Sequence, residues 1–447
     1  MKVTTDENRP AAVPERTKQA GDTGSEKWDW VERGVWTQRM LEALENGVKG
    51  GVWFSLIDKV QRPDTLASAW RRVRRAGGGA GSDQQSLEQF ERDLDENLAK
   101  LSEELRTGTY RPRPIRRTYI DKPGGKGKRP LGIPAVRDRV VQSAVKMVIE
   151  PIFENEFVST SYGFRPGKGC KDALRQVERL LREGYTWVVD ADLKSYFDTI
   201  PHDGLMVRVR EHIADGRVLD LIESFLKQQI LEDLRLWTPE KGAPQGAVIS
   251  PVLSNIYLHE VDKAMKVAGY EMVRYADDFV ILCKSRHEAE SALALAAGLC
   301  QERGLTLHAG KTSLVNTGEK GQGFDFLGYH FENGTRWPRK KSLKKFKDTI
   351  RKKTRRSNGR SLKVIIEDVN QTTKGWFEYF KHSHWTTFKP LDGWIRRRLR
   401  SILRGYTKGK GISRGKDHIR WPNKYFRDLG YFSLYDAHRA LLQSSRG

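Results

Sequence analysis

Three cysteines in 447 residues, Cys170, Cys283 and Cys300, stand alone in the sequence. None has the paired spacing of a zinc ribbon or a disulfide framework, which argues against both and for a reducing compartment. Long apolar runs are missing too. No stretch approaches the roughly 18 residues that a membrane span needs, and the amino terminus lacks the apolar core of a signal peptide. These absences predict a cytoplasmic protein, in bacterial cytosol or nucleoid, with no membrane partner. Acidic residues are scarce at one end only. Residues 341–447 hold 28 basic and 8 acidic side chains, net +20, while residues 1–340 come to +3, so nearly all of the formal +23 lies in the last quarter. A solvated surface needs no such imbalance, whereas a polyphosphate partner does. The length allows two or three subdomains around a sheet-based centre.

Residues 1–27 are polar and rich in charge, Pro and Gly, the composition of a disordered tail. Trp28, Trp30, Trp36 and Trp53 then announce a packed region. After a glycine-rich loop, Leu87, Phe90, Leu94, Leu98, Leu101 and Leu105 fall at spacings of three and four and predict one long amphipathic helix. Residues 111–134 are dense in cations and turn formers between two extended apolar pieces. They predict a hairpin whose basic side chains face a triphosphate or a nucleic-acid backbone, or else a solvated loop.

An apolar strand at 186–191 runs into Asp192, with Asp190, Asp198 and Phe197 close by. Later, Glu271 to Cys283 reads as strand, tight turn and strand, with Asp277 and Asp278 at the tip. Asp-Asp is good turn chemistry in its own right. Two adjacent carboxylates between buried strands are nevertheless costly without a counter-ion, and a two-metal centre needs carboxylates brought together from separate strands. Between the two halves, Pro244-Gln-Gly246 opens a helix and offers one amide side chain to a nucleotide. In the cationic quarter, residues 392–403 predict a basic amphipathic helix. The aromatics from Trp421 to Tyr435 suit base stacking or a small core.

Taken together, these pieces resemble a family. Arg129-Pro-Leu-Gly-Ile-Pro134, Tyr162-Gly-Phe-Arg-Pro-Gly167, Asp192 with Phe197, Pro244-Gln-Gly246, Tyr275-Ala-Asp-Asp278 and Phe326-Leu-Gly328 occur in the order seen in group II intron-encoded reverse transcriptase/maturases, from about residue 66 to 403. The resemblance implies an α+β, right-hand polymerase with fingers, an antiparallel-sheet palm, a helical thumb and a small basic carboxyl-terminal segment. The expected boundaries are 1–27, tail; 28–110, N-terminal extension; 111–330, fingers and palm; 331–404, thumb or maturase domain; and 405–447, DNA-binding segment. Many relatives end in a zinc-associated endonuclease of His-Asn-His type, for which the length and paired cysteines are lacking here, so no second-strand cutting is expected. Asp121 stands where the family usually has proline.

The implied activity is RNA-directed DNA synthesis with two Mg²⁺ ions, Mn²⁺ being the alternative. Asp192 and Asp277 would bridge the ions, with Asp278 assisting and the Leu193 carbonyl completing the shell. Arg117, Lys122 and Arg129 are expected to contact the triphosphate, Phe197 to exclude a 2′-hydroxyl, Gln245 to meet the incoming nucleotide and Lys311 to protonate the leaving group. Arg396, Arg397, Arg398 and Arg400 are expected to bind nucleic acid. The implied partners are structured intron RNA, as template and splicing substrate, a DNA primer or target, and dNTPs. Two other readings share these residues: a domesticated intron-like reverse transcriptase in host defence or repair, and an RNA-binding splicing cofactor.

Overall fold

The computed structural model describes residues 26–48, 51–121, 127–407 and 415–444. The expected disordered tail lies outside them up to residue 25, and the described chain begins with a 3₁₀ turn at Glu26–Trp28. Trp36 is fully buried and donates its indole N–H to the Met147 carbonyl at 3.1 Å, which pins the amino-terminal region to the Val136–Glu156 helix. The leucine-faced segment forms two helices, Leu87–Arg92 and Leu94–Thr107, and not one. Asp93 leaves the helical region at φ −115°, ψ 43°, and the Asn97 amide satisfies the Phe90 carbonyl across the break at 3.0 Å. Both pieces keep their apolar faces in the core, so the periodicity survives the break.

Eleven strands form three sheets among the described residues: β1 Ile115–Asp121, β2 Lys128–Ile133, β3 Trp187–Asp192, β4 Ile230–Glu232, β5 Arg235–Trp237, β6 Glu271–Tyr275, β7 Asp278–Cys283, β8 Ser313–Asn316, β9 Gly323–Phe326, β10 Tyr329–Glu332 and β11 Thr335–Pro338. The first sheet has the order β2-β1-β4-β5, and its β1–β2 pair is the expected basic hairpin. The central sheet, β6-β7-β3-β8, is antiparallel throughout. On β3 the side chains alternate: Val189 and Ala191 enter the main core, while Val188 shares the opposite face with Asp190 and Asp192. Burial of the first face fixes the register, because a slip of one residue would drive the aspartates into the core.

Beyond β11 the helices Lys340–Lys353, Leu362–Phe380 and Phe388–Tyr406 build a separate core around Phe346, Ile366, Phe377, Phe388 and Ile395. The carboxyl-terminal aromatics resolve in favour of packing. Trp421, Phe426, Tyr431 and Leu434 complete that same core, each burial contributing about 2 kcal/mol. Asp392, fully buried, ties the two parts together by accepting from Tyr431 Oη, Ser433 Oγ and the Leu434 and Tyr435 amides at 2.8–3.1 Å. The expected boundary at 405 does not coincide with a break in packing. Residues 421–444 are continuous in packing with the helices before them, and 408–414 lie outside the described residues.

Candidate active site

Strands β6 and β7 are joined by two residues, Ala276 and Asp277, with Tyr275 paired to Asp278. Ala276 sits at φ +60°, the left-handed conformation that a II′ turn requires at its first central position. Asp192, the last residue of β3, lies directly opposite Asp278 on β7. Two strands that are far apart in the chain therefore bring three carboxylates to one edge of the sheet. Leu193 continues past the strand into a bridge with Leu307. The flanking hydrogen bonds run from Lys194 N to Thr306 O and from His308 N to Asp192 O, so that pairing does not use the Leu193 carbonyl.

The electrostatics are those of acids crowded together. Burial, followed by repulsion from Asp190, Asp277 and Asp192, pushes the Asp278 carboxyl up to about 7. Asp190 also rises to about 7, through burial and then Asp325 and Asp192. Burial raises Asp277 too, as does Asp192, while a backbone hydrogen bond, Arg129 and Lys311 oppose the shift. The Lys311 ammonium sits on the Asp192 carboxylate. Among the described residues no three His, Cys, Asp or Glu side chains converge closely enough to hold an ion. The donor set still suits a hard divalent cation, being all oxygen, rich in negative charge and drawn from neighbouring strands.

A cavity of about 180 Å³ has walls that include Arg117, Phe197, Asp198, Trp237 and Gln245, and Arg129, which acts electrostatically on Asp277, bonds its Gln245. Gln245 is held at both ends: Arg129 Nε donates to its Oε1 at 2.8 Å, and its Nε2 donates to Asp198 Oδ1 at 3.2 Å. The neighbouring glycine is required. Gly246 has φ +108°, and a Cβ there would meet the Gly132 carbonyl at 2.4 Å. Arg117 lies 3.5 Å from the Glu232 carboxylate and over the Trp237 ring at 5.0 Å. Lys122 lies outside the described residues.

The four thumb arginines do not share one face. Arg397 is exposed. Arg398 is partly buried and bonds Thr354 Oγ1 at 2.6 Å, and the Arg396 side chain is 16% exposed, 3.9 Å from Asp392. Arg400 is only 2% exposed, donating to the Trp421 carbonyl and Asn423 Oδ1 at 2.8 Å each. Its guanidinium is committed to the fold, which removes it from the expected nucleic-acid contacts. Residues that the motifs did not single out are Asp325 beside Asp190, Trp237 in the cavity wall, and Arg274. A cation directly after the apolar pair Met272-Val273 was the available signal for Arg274.

Residues 120–331 match the family model described as reverse transcriptase (RNA-dependent DNA polymerase), and residues 343–421 match the group II intron, maturase-specific domain. The chain is 36% identical to Escherichia coli protein YkfC over 316 residues, covering 61% of this chain and 82% of that protein. It is 42% identical to the Lactococcus lactis group II intron-encoded protein LtrA over 169 residues, 38% of this chain and 28% of LtrA. A chain of the partial Cas6-RT-Cas1–Cas2 complex overlaps 56% of this chain and 41% of its own length at 27% identity and TM-score 0.37. The chain carries a reverse transcriptase domain followed by a maturase domain, and it belongs to the family of group II intron-encoded reverse transcriptase/maturases.

Proposed function

We propose that the protein is an RNA-directed DNA polymerase that copies a structured intron RNA into DNA from a DNA primer, and that its thumb binds the same RNA to assist splicing. The observation that carries the polymerase reading is the pairing of Asp192 with Asp278, with Asp277 on the adjoining turn. Asp192, Asp277 and the Leu193 carbonyl would hold two Mg²⁺ ions, assisted by Asp278. When bound, these ions activate the primer 3′-hydroxyl and neutralise the departing pyrophosphate. Arg129 grips the triphosphate with its planar fork, oriented by Gln245. Arg117 adds positive charge to that end of the site, and the family resemblance alone assigns Lys122 to the triphosphate. The Phe197 ring lies under the sugar and leaves no room for a 2′-hydroxyl. Lys311 shields Asp192 and supplies a proton to pyrophosphate.

The test is primer extension on an RNA template with the purified chain beside Asp277→Asn. Loss of extension in the variant is the expected result, and a variant that extends at the parental rate would remove Asp277 from the metal site. The splicing role rests on the maturase match at 343–421 and the cationic helix Lys340–Lys353. Asp277→Asn is expected to bind intron RNA and promote its splicing as the parent does, because that role needs no nucleotide chemistry.

A further inference from the structure

Arg274 lies in the buried middle of β6, and it is 1% exposed. Burying a guanidinium costs several kcal/mol unless its donors are matched. Here they are. Nε and an outer nitrogen donate to the two Asp262 oxygens at 2.7 and 2.5 Å, and the other outer nitrogen donates to Asn255 Oδ1 at 3.0 Å and to the Ala276 carbonyl at 2.9 Å. Asn255 and Asp262 are seven residues apart on the Ser250–Val267 helix, two turns on one face.

The bond to Ala276 reaches the catalytic turn. An alanine at φ +60° is strained, so this turn needs an external hold to exclude conformers with the peptide rotated. Arg274 supplies that hold from inside the sheet. Gly163 packs against the same turn, where an added Cβ would stand 2.2 Å from the Ala276 nitrogen. Asn255 links Gly163 to Arg274, accepting from Arg274 and donating through Nδ2 to the Gly163 carbonyl at 2.8 Å. The two peptides flanking Ala276 are each constrained: Gly163 packs against the Tyr275–Ala276 peptide, and Arg274 holds the carbonyl of the Ala276–Asp277 peptide.

We propose that Arg274 is a positioning residue for Asp277: with Asn255 and Asp262 it locks the Ala276 peptide so that the Asp277 carboxylate is presented to a divalent cation. This inference rests on the polymerase reading above. Its alternative is an ion pair that merely stabilises the palm. Arg274→Lys distinguishes them, because an ammonium still neutralises Asp262 but cannot also reach Asn255 and Ala276. Asn255→Ala, run in parallel, leaves the ion pair whole and removes only the link between Arg274 and Gly163.

Three quantities are measured on the full chain: single-nucleotide incorporation, affinity for primer–template, and Mn²⁺ affinity from the free-ion EPR signal without substrates. Expected for both variants is a folded chain with a lowered thermal midpoint still above the assay temperature, primer–template affinity close to the parent, a rate reduced roughly 10–100-fold, and weakened Mn²⁺ binding. Where Arg274→Lys does not fold, Asn255→Ala carries the decision. A folded variant with the parental rate, or with a lower rate but parental Mn²⁺ affinity, overturns the proposal. An inactive parent overturns the polymerase reading itself, and this inference with it.

Discussion

At the scale of single residues, position relative to the turn and the cavity decides each role. Phe197 is 8% exposed and lines the cavity together with Gln245. Truncation to Val opens space where the 2′-hydroxyl of a ribonucleotide would lie. Phe197→Val is therefore expected to raise ribonucleotide incorporation relative to deoxynucleotide by roughly 10–100-fold, measured by competition of the two at equal concentration. Unchanged discrimination would remove Phe197 from under the sugar. The motif residues were legible in the sequence because their chemistry is local: two acids on a turn, an aromatic five residues after a strand-end acid, a glutamine between turn formers. Arg274 was not, because its partners lie on a helix that precedes it in the chain and its significance appears only when Ala276 is seen at φ +60°.

At the scale of elements, the helix Phe388–Tyr406 illustrates how tertiary packing reassigns side chains. Periodicity alone places Ile395, Leu399 and Ile402 on the buried stripe and leaves the arginines outside. The carboxyl-terminal segment then covers Arg400 and part of Arg396, so a basic helix presents fewer free cations than its composition suggests. Asp392 is the anchor of that cover. Asp392→Ala would leave buried donors from Tyr431, Ser433, Leu434 and Tyr435 unmatched and deprive Arg396 of its nearby carboxylate. The expected loss is about 3 kcal/mol in the stability of this unit. It would be read as earlier urea unfolding followed by Trp fluorescence, with RNA affinity falling only as the unit unfolds. A midpoint equal to the parent would mean that the contact contributes nothing.

At the scale of the whole molecule, charge and fold are divided along the chain. Affinity for RNA is expected to fall steeply with salt because cations at the carboxyl-terminal quarter displace counter-ions from phosphates. Lys341, Lys344 and Lys345 are exposed on the helix Lys340–Lys353. Replacing all three with Gln should flatten the slope of log affinity against log salt by about 2. Replacing Arg400 with Gln should leave the slope alone and lower stability. An unaltered slope in the triple variant would place the RNA elsewhere. What the sequence by itself determined is the chemistry: the order of motifs, the acids at strand ends, the strand alternation of the palm and the concentration of positive charge. These are set by neighbours in the chain, through side-chain period and turn preference. Only the tertiary structure decided which cations remain free, that the aromatic tail completes the thumb core, and that the helix over 87–105 breaks at Asp93. It also showed that the Tyr275–Asp278 turn is held by Arg274 and packed by Gly163. Each of these depends on burial and on partners distant in sequence, and burial is a property of the packed chain.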